Sequence, residues 1–328
     1  MRILVTGAGG FVGHHLVEYL KDQGHWVRGV DIKKTEFRAT AADEFAILDL
    51  RNPDNCYRAL RWGKFDRVYH LAADMGGIGY ITSHHAEIMR NNLLIDINML
   101  DEAVEAKVGR FLFTSSACTY REDMQDIPDA PPLKEDSVYP ALPEAAYGWE
   151  KLTIERLCKH YSEDYGIETR ISRFHNVYGP YETWDGGREK APGALSRKIA
   201  RAKLRGEHEI EVWGDGLQRR SFVYIDDVVR GLVTLMESDY SGAVNIGQDR
   251  TVSINELAEM LSKIAEWPVN LKHVEGAQGV RGRNSDNTLA REVLKGWRPD
   301  TPLEEGLRIT YNWIEEQVKQ SESAYATR

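Results

Sequence analysis

Residues 5–13 read Val-Thr-Gly-Ala-Gly-Gly-Phe-Val-Gly. A strand candidate, "RILVT", runs into this stretch, and a helix candidate, "FVGHHLVEYLKDQG", leaves it. Gly7, Gly10 and Gly13 form a G-x-x-G-x-x-G array at the turn between them. Glycines there let the backbone turn tightly and approach a pyrophosphate, whose charge meets the helix N-terminus. A glycine-rich turn alone is also an ordinary loop, so the flanks decide the reading. Phe11 and Val12 lie in the same turn and join the expected cofactor contacts.

Outward from that turn, short apolar runs alternate with helical stretches: "WVRGVD", later "DRVYHLAA" and "RFLFTSS". The alternation predicts β-α-β units winding a parallel sheet. Its strands are apolar throughout, as expected where helices cover both faces. The fold class is therefore α/β, a Rossmann-type doubly wound sheet with a smaller C-terminal domain. Residues 1–176 and about 221–248 are expected to form the dinucleotide domain, and about 177–220 with 249–328 the substrate domain. The second begins at the loop "GPYETWDGGREKAPG", followed by a basic helix candidate, "ALSRKIARAKLRG". "SINELAEMLSKIAE" and "PLEEGLRITYNWIEEQVKQ" read as later helices, and "SESAYATR" as a frayed tail.

The second strand candidate ends in Asp31. An acid there accepts from a ribose 2′-hydroxyl and repels a 2′-phosphate, which favours NAD over NADP. Lys33 and Lys34 soften that preference, and a turn cap is the alternative role for Asp31. Asp49 is a candidate adenine-side contact by position only.

The 328 residues suffice for a large core. Acidic residues (51) outnumber Lys plus Arg (42), giving a net charge of −9, and no long basic block exists. Nucleic acid is a poor candidate partner. No apolar window reaches the ~18 residues of a membrane span, and the start has no secretory-signal pattern. A cytoplasmic protein is expected. Cys56, Cys118 and Cys158 are odd in number, with no metal-ligand spacing, so neither a disulfide framework nor a metal site is expected. Cys56 and Cys158 read as core, His70 as packing, and His84 and His85 as a helix start.

"AAYGWEK" sets Tyr147 and Lys151 four apart, on one face of a helix. A phenol ionises near pH ~10 unless a cation favours the phenolate. The pair by itself is also a common surface pair. Cys118 follows Ser116 and Ala117 at the end of "RFLFTSS", where open α/β sheets bind ligands. Its thiol, with a reference pKa of ~8.5, suits proton transfer; a buried free cysteine is the alternative.

"TGAGGFVG", "HLAA", "TSSA", "YGWEK", "RFHNVYGP" and "RRSFVYIDD" resemble, in order, the extended short-chain dehydrogenase/reductase superfamily acting on nucleotide sugars. "AADMGGIGYI", "SSAC", "GGREKAP", "WGDGLQRRSF" and "GVRGRNSDN" are similar, more narrowly, to the branch that epimerises GDP-mannose at C3 and C5. That resemblance implies NAD-linked oxidation at C4, with Tyr147 as proton acceptor, Ser116 on the same oxygen and Lys151 on the cofactor ribose. A 4-ketone acidifies C3 and C5, and inversion needs two groups on opposite faces. The resemblance assigns them to Cys118 and Lys190. The implied products are GDP-L-galactose and, by C5 inversion alone, GDP-L-gulose.

The same resemblance implies substrate contacts from Gly76, Ala117, Asn176 and Glu189, and GDP contacts from Lys198, Gln218, Arg220 and Arg283. It also implies a homodimer. A 4-epimerase or 4,6-dehydratase is the enzymatic alternative; Cys118 where dehydratases carry Glu, paired with Lys190, weighs against both. An NAD-sensing protein need not keep both Tyr147 and Lys151.

Overall fold

The computed structural model describes residues 1–61 and 63–326. A seven-stranded, all-parallel sheet is built from β1 (Arg2–Thr6), β2 (Trp26–Asp31), β3 (Glu44–Ile47), β4 (Arg67–His70), β5 (Arg110–Ser116), β6 (Glu168–Phe174) and β10 (Ala243–Ile246). Their order is β10-β6-β5-β4-β1-β2-β3. The strand order reverses between β1 and β4, which opens a crevice at their C-terminal ends.

Alternation along the buried strands divides the core. Ile3 and Val5 pack on α1 (Phe11–Asp22) and α7 (Ile225–Glu237), through Leu16, Val17, Leu232 and Leu235. Leu4, Phe111 and Phe113 face α2 (Pro53–Leu60), α4 (His85–Glu105) and α5 (Ala145–Tyr165), through Ala59, Met99 and Ile154. Side chains of period two explain why both faces of one strand are apolar. Truncating the fully buried Phe111 to Ala would cost about 3–5 kcal/mol. Cys56 and Cys158 are buried in the second layer, and the Cys56 thiol donates to the Leu50 carbonyl at 3.2 Å.

The short α3 (Ile78–Ile81) precedes α4, and α4 starts at His85 with His84 as its cap. The chain leaves the first sheet after β6 for a second, containing β7 (Asn176–Tyr178), β9 (Arg219–Tyr224), β11 (Thr251–Ser253) and β13 (Gly282–Arg283). Between β7 and β9 come α6 (Ala191–Arg205) and β8 (Glu209–Trp213), which pairs with β12 (Asn270–Val274). The return to the first layer comes with α7, since β9 before it pairs with β7, β11 and β13. α8 (Ile254–Ile264) opens on a capping box, in which Ser253 accepts from the Glu256 N–H at 3.0 Å and Glu256 from the Ser253 N–H at 2.6 Å. α9 (Thr288–Val293) follows, and α10 (Leu303–Ala326) packs on α6 and α8. The expected frayed tail is corrected here: residues 321–326 continue α10, and residues 327–328 lie outside the described residues. Val318 is buried within that helix and anchors its last turns.

Candidate active site

The glycine turn sits at the crevice. Gly7 has φ +71°, and a Cβ there would lie 2.8 Å from the Leu71 carbonyl carbon. A Cβ on Gly13 would lie 2.1 Å from the Gly7 oxygen, so neither position takes a side chain. α1 starts at Gly10 with no side-chain cap and no acid in its first turn. Its N–H groups and positive dipole end are thus left for an anion. Asp31, ending β2, accepts from the Gly9 N–H at 2.9 Å and the Lys33 N–H at 3.1 Å, which fixes the carboxylate at the cradle's rim. Phe11 lines the adjoining cavity with Lys33, Arg38 and Tyr181, and Val12 packs against the core. A dinucleotide fits this set: tight turn, uncapped helix and ribose acceptor. Asp49 follows the edge strand β3, next to Leu48, whose N–H donates to the Asp31 carbonyl at 2.8 Å, and its carboxylate is held by Arg51 at 2.6 and 2.9 Å.

Tyr147 and Lys151 share the inward face of α5, both buried. The Ser116 hydroxyl, at the end of β5, lies close enough to the Tyr147 phenol to favour its ionised form. The Lys151 ammonium lies 3.4 Å from Asp96 and 3.6 Å from Glu150, and 5.9 Å from the Tyr147 ring centre. Asp96 is bound in turn by His70 Nε2 at 2.9 Å, and His70 Nδ1 by the Thr6 hydroxyl at 2.7 Å. His70 therefore links β1 and β4 to the lysine, a polar role beyond the packing expected of it.

Burial disfavours the Lys151 ammonium, but Asp96 and then Glu150 outweigh it and raise its pKa. Burial raises the Tyr147 phenol, against the pull of Lys151. Glu150 is pushed up by burial, with Asp96 adding repulsion. Lys151 thus keeps its charge at any physiological pH, while the phenol holds its proton until further positive charge arrives.

Cys118 lies in the turn just past β5, in an apolar wall with Ile81, Ile88 and Tyr147. The Ser116 hydroxyl accepts from the Cys118 N–H at 3.1 Å. Burial raises the thiol pKa, opposed by Arg283 and reinforced by Glu144. Arg283 is fully engaged: Nε donates to Gln125 at 2.7 Å, Nη1 to the Cys118 sulfur at 3.4 Å, and Nη2 to Glu144 at 2.5 Å. The residue expected at the GDP end thus comes directly beside the sulfur.

Lys190 caps α6, half-buried, within electrostatic range of Cys118. Burial lowers its pKa, while Glu182 and then Cys118 favour the ammonium. Glu182 is 3% exposed, with one carboxylate oxygen lacking any hydrogen-bond partner, and its carboxyl carbon lies 3.3 Å from where a Gly193 Cβ would stand, in the first turn of α6. Burial pushes Glu182 up to about 8 against the pull of Lys190. Arg188 turns away, to Asp74 at 3.4 Å and over the Tyr80 ring at 3.7 Å. Glu189 is held by Arg197 at 2.6 Å and accepts from the Gly187 N–H at 2.7 Å. Gly76 adjoins Gly77, whose N–H donates to the Arg188 carbonyl at 2.9 Å, so the 76–77 turn lies against the irregular segment that leads to Lys190.

Asn176 spans β7 and β9 by donating to the Ser221 carbonyl at 3.0 Å. Lys198 reaches the Glu211 carbonyl at 2.7 Å beside Trp213. Gln218 is buried with an unpartnered side-chain oxygen, and Arg220 donates to the Val280 carbonyl at 2.5 Å. Burial, then Arg283, bring the Arg220 pKa down to about 10. Gln218 and Arg220 lie at the β8–β9 corner and the start of β9, Asn176 on the paired strand β7 and Lys198 on α6. Sequence reasoning missed Asp96, Glu144, Glu150 and Glu182. Only an acid amid the apolar "NNLLIDINML" hinted at Asp96.

Residues 3–247 match the model of the NAD dependent epimerase/dehydratase family. A GDP-mannose 3,5-epimerase of Arabidopsis thaliana is 49% identical over 325 residues, 98% of this chain and 84% of that one. The crystal structure of Thermotoga maritima UDP-glucose 4-epimerase with UDP-glucose superposes with a TM-score of 0.85 at 28% identity, covering 97% of this chain and all of that one. UDP-glucuronic acid 4-epimerase from Bacillus cereus, in complex with UDP-glucuronic acid and NAD, gives 0.80 at 28% identity over 97% of this chain and all of that one.

Proposed function

Because the chain belongs to the NAD dependent epimerase/dehydratase family, we propose that it epimerises GDP-D-mannose at C3 and C5 through a transient 4-ketone. The products are GDP-L-galactose and, when C5 alone inverts, GDP-L-gulose. What supports this reading is that Cys118 packs with Tyr147 and with Ile81 of α3, and that Gly77, just before α3, bonds the Arg188 carbonyl two residues from Lys190.

NAD, when bound in the glycine cradle, supplies reversible oxidation at C4. Gly7, Gly10 and Gly13 with the α1 N-terminus would hold its pyrophosphate, and Asp31 its ribose. Tyr147 takes the proton of the sugar 4-hydroxyl as C4 is oxidised and returns it at the end. Ser116 holds the same oxygen, and Lys151 keeps a positive charge beside the phenol to favour the phenolate.

With C4 a carbonyl, the hydrogens on C3 and C5 are acidic, and each carbanion is stabilised as an enolate. Cys118, as thiolate, removes one proton and becomes a thiol. Lys190, as ammonium, returns a proton to the other face and becomes an amine. The electron pair stays with the sugar, so each inversion moves one proton out and one in, and before the second the thiol passes its proton to solvent while the amine takes one up. Gly76, whose Cβ position is filled by the Tyr80 side chain, offers the sugar its backbone, Asn176 serves the sugar, and Lys198, Gln218 and Arg220 serve the nucleotide end.

A homodimer through the α4–α5 surface, where Leu94, Ile97 and Trp149 are exposed, and a cytoplasmic location belong to the same reading. Among the described residues no helix is long and apolar enough to cross a membrane. The test is incubation with GDP-mannose in heavy water, followed by NMR. Deuterium at C3 and C5 with inverted products is expected; unlabelled, uninverted sugar would defeat the reading. Cys118→Ser should slow exchange by about 10²–10⁴-fold while still allowing cofactor reduction, whereas Tyr147→Phe should suppress that reduction itself.

A further inference from the structure

Behind the Cys118 sulfur stands a carboxylate to which the reaction above gives no task. Glu144 is the N-cap residue of α5, where an acid ordinarily turns back onto the helix N–H groups; here it makes no such bond. Its side chain reaches away, buried, to Arg283 Nη2 at 2.5 Å, while Nη1 of the same guanidinium donates to the Cys118 sulfur at 3.4 Å. The Glu144 carboxylate also stands close enough to the thiol for its charge to oppose thiolate formation.

The three groups are held rigidly. The Glu144 N–H donates to the Cys118 carbonyl at 3.0 Å, and Gly148, whose Cβ would lie 2.2 Å from that carbonyl oxygen, lets α5 lie against the turn. Gln125 fixes the guanidinium plane through Nε at 2.7 Å. Other charges face the sulfur too: Lys190 from the α6 start, Tyr147 from α5 and Arg220 from β9. Among the described residues, Glu144 is the acid whose hydrogen-bonded cation also hydrogen-bonds the sulfur.

We propose that Glu144 is a positioning residue for the Cys118 base: it clamps Arg283 against the sulfur and, by claiming most of that cation's charge, keeps the sulfur in the thiol form at rest. The inference rests on the proposed role of Cys118. A guanidinium shared with a carboxylate stabilises a thiolate less than a free one does. Removing the carboxylate's charge while keeping its shape therefore makes the thiolate easier to form. The assignment separates two tasks, since Arg283 supplies the positive field and Glu144 rations it.

Glu144→Gln keeps an oxygen for Nη2 and removes the charge. Thiolate formation can be followed in the unliganded protein by absorbance at 240 nm, with the titration of Cys118→Ser subtracted. The other thiols do not interfere, because burial pushes Cys56 up to about 12 and raises Cys158 well above its ordinary range. The expected result is a midpoint displaced to lower pH by about one unit or more in Glu144→Gln. The acid limb of C5 deuterium exchange should move in the same direction. A purely structural Glu144 would lower the unfolding midpoint and leave the thiol titration in place, and that outcome overturns the proposal. Should Glu144→Gln fail to fold, Arg283→Gln provides the complement: without the cation the titration must move to higher pH, and no movement overturns the proposal. Wild-type protein that titrates as expected but leaves GDP-mannose unlabelled would sink the epimerase reading and leave the clamp standing.

Discussion

Asp96→Asn isolates what the buried acid does for Lys151. Asp96 is fully buried and its carboxylate lies 3.4 Å from the ammonium; the asparagine oxygen can still accept from His70. At an effective dielectric constant of about 20, two unit charges at that distance attract by about 5 kcal/mol, equivalent to three to four pKa units. Glu150, 3.6 Å away, remains as a partial partner, so the loss of stability belongs at the lower end of the about 3–5 kcal/mol typical of an orphaned buried charge. Urea unfolding at pH 7.5 measures that loss. Stopped-flow cofactor reduction against pH measures the second effect, an alkaline limb brought down into the accessible range as Lys151 gives up its proton. Asp96→Asn combined with Lys151→Met should regain part of the stability, with Glu150 left to stay neutral by keeping its proton, and none of the activity. Unfolding of the single variant within about 0.5 kcal/mol of the parent, with an undisplaced pH profile, would refute the assignment of Asp96 as the counter-ion.

Glu182→Gln removes the carboxylate that favours the Lys190 ammonium, so Lys190 should lose its proton at lower pH. The alkaline limb of C5 inversion should shift downward while the rate of cofactor reduction holds; equal shifts in both would point to a global effect. His175 is buried, and its pKa is pushed down to about 3 by burial and then by Arg283. It is neutral when folded but charges near pH 6.5 when unfolded, so stability is full above pH 6.5 and declines as pH falls toward 3. Between pH 6.5 and 5 the decline amounts to about 2 kcal/mol, and denaturant titrations of His175→Gln should show a correspondingly flatter acid slope.

Much of the architecture is legible in the chain because its signals are local. The period-two core of β1, the tight turn at Gly7 and the helix after Gly10 lie within a dozen residues, and each follows from sterics that neighbours impose. The helix α8 is legible for the same reason, while its capping box emerges from the structure. Residues 321–326 read as a tail because Ser-Glu-Ser-Ala-Tyr-Ala carries no helical apolar spacing, and only pairing of Glu322 with Arg201 and Arg205 of α6 tells a continued helix from a frayed end.

Tyr147 and Lys151 were legible as a pair because a helix sets i and i+4 on one face, and Cys118 as a site because parallel strands bring ligands to their C-terminal ends. The charges that govern those groups were not legible. Asp96 is 55 residues from Lys151, and Arg283 is 139 from Glu144 and 165 from Cys118. The sequence by itself determined the residue types able to move a proton and the frame that carries them. Only the tertiary structure decided which of them are charged, because a pKa depends on desolvation and on distances of a few ångströms between segments remote along the chain.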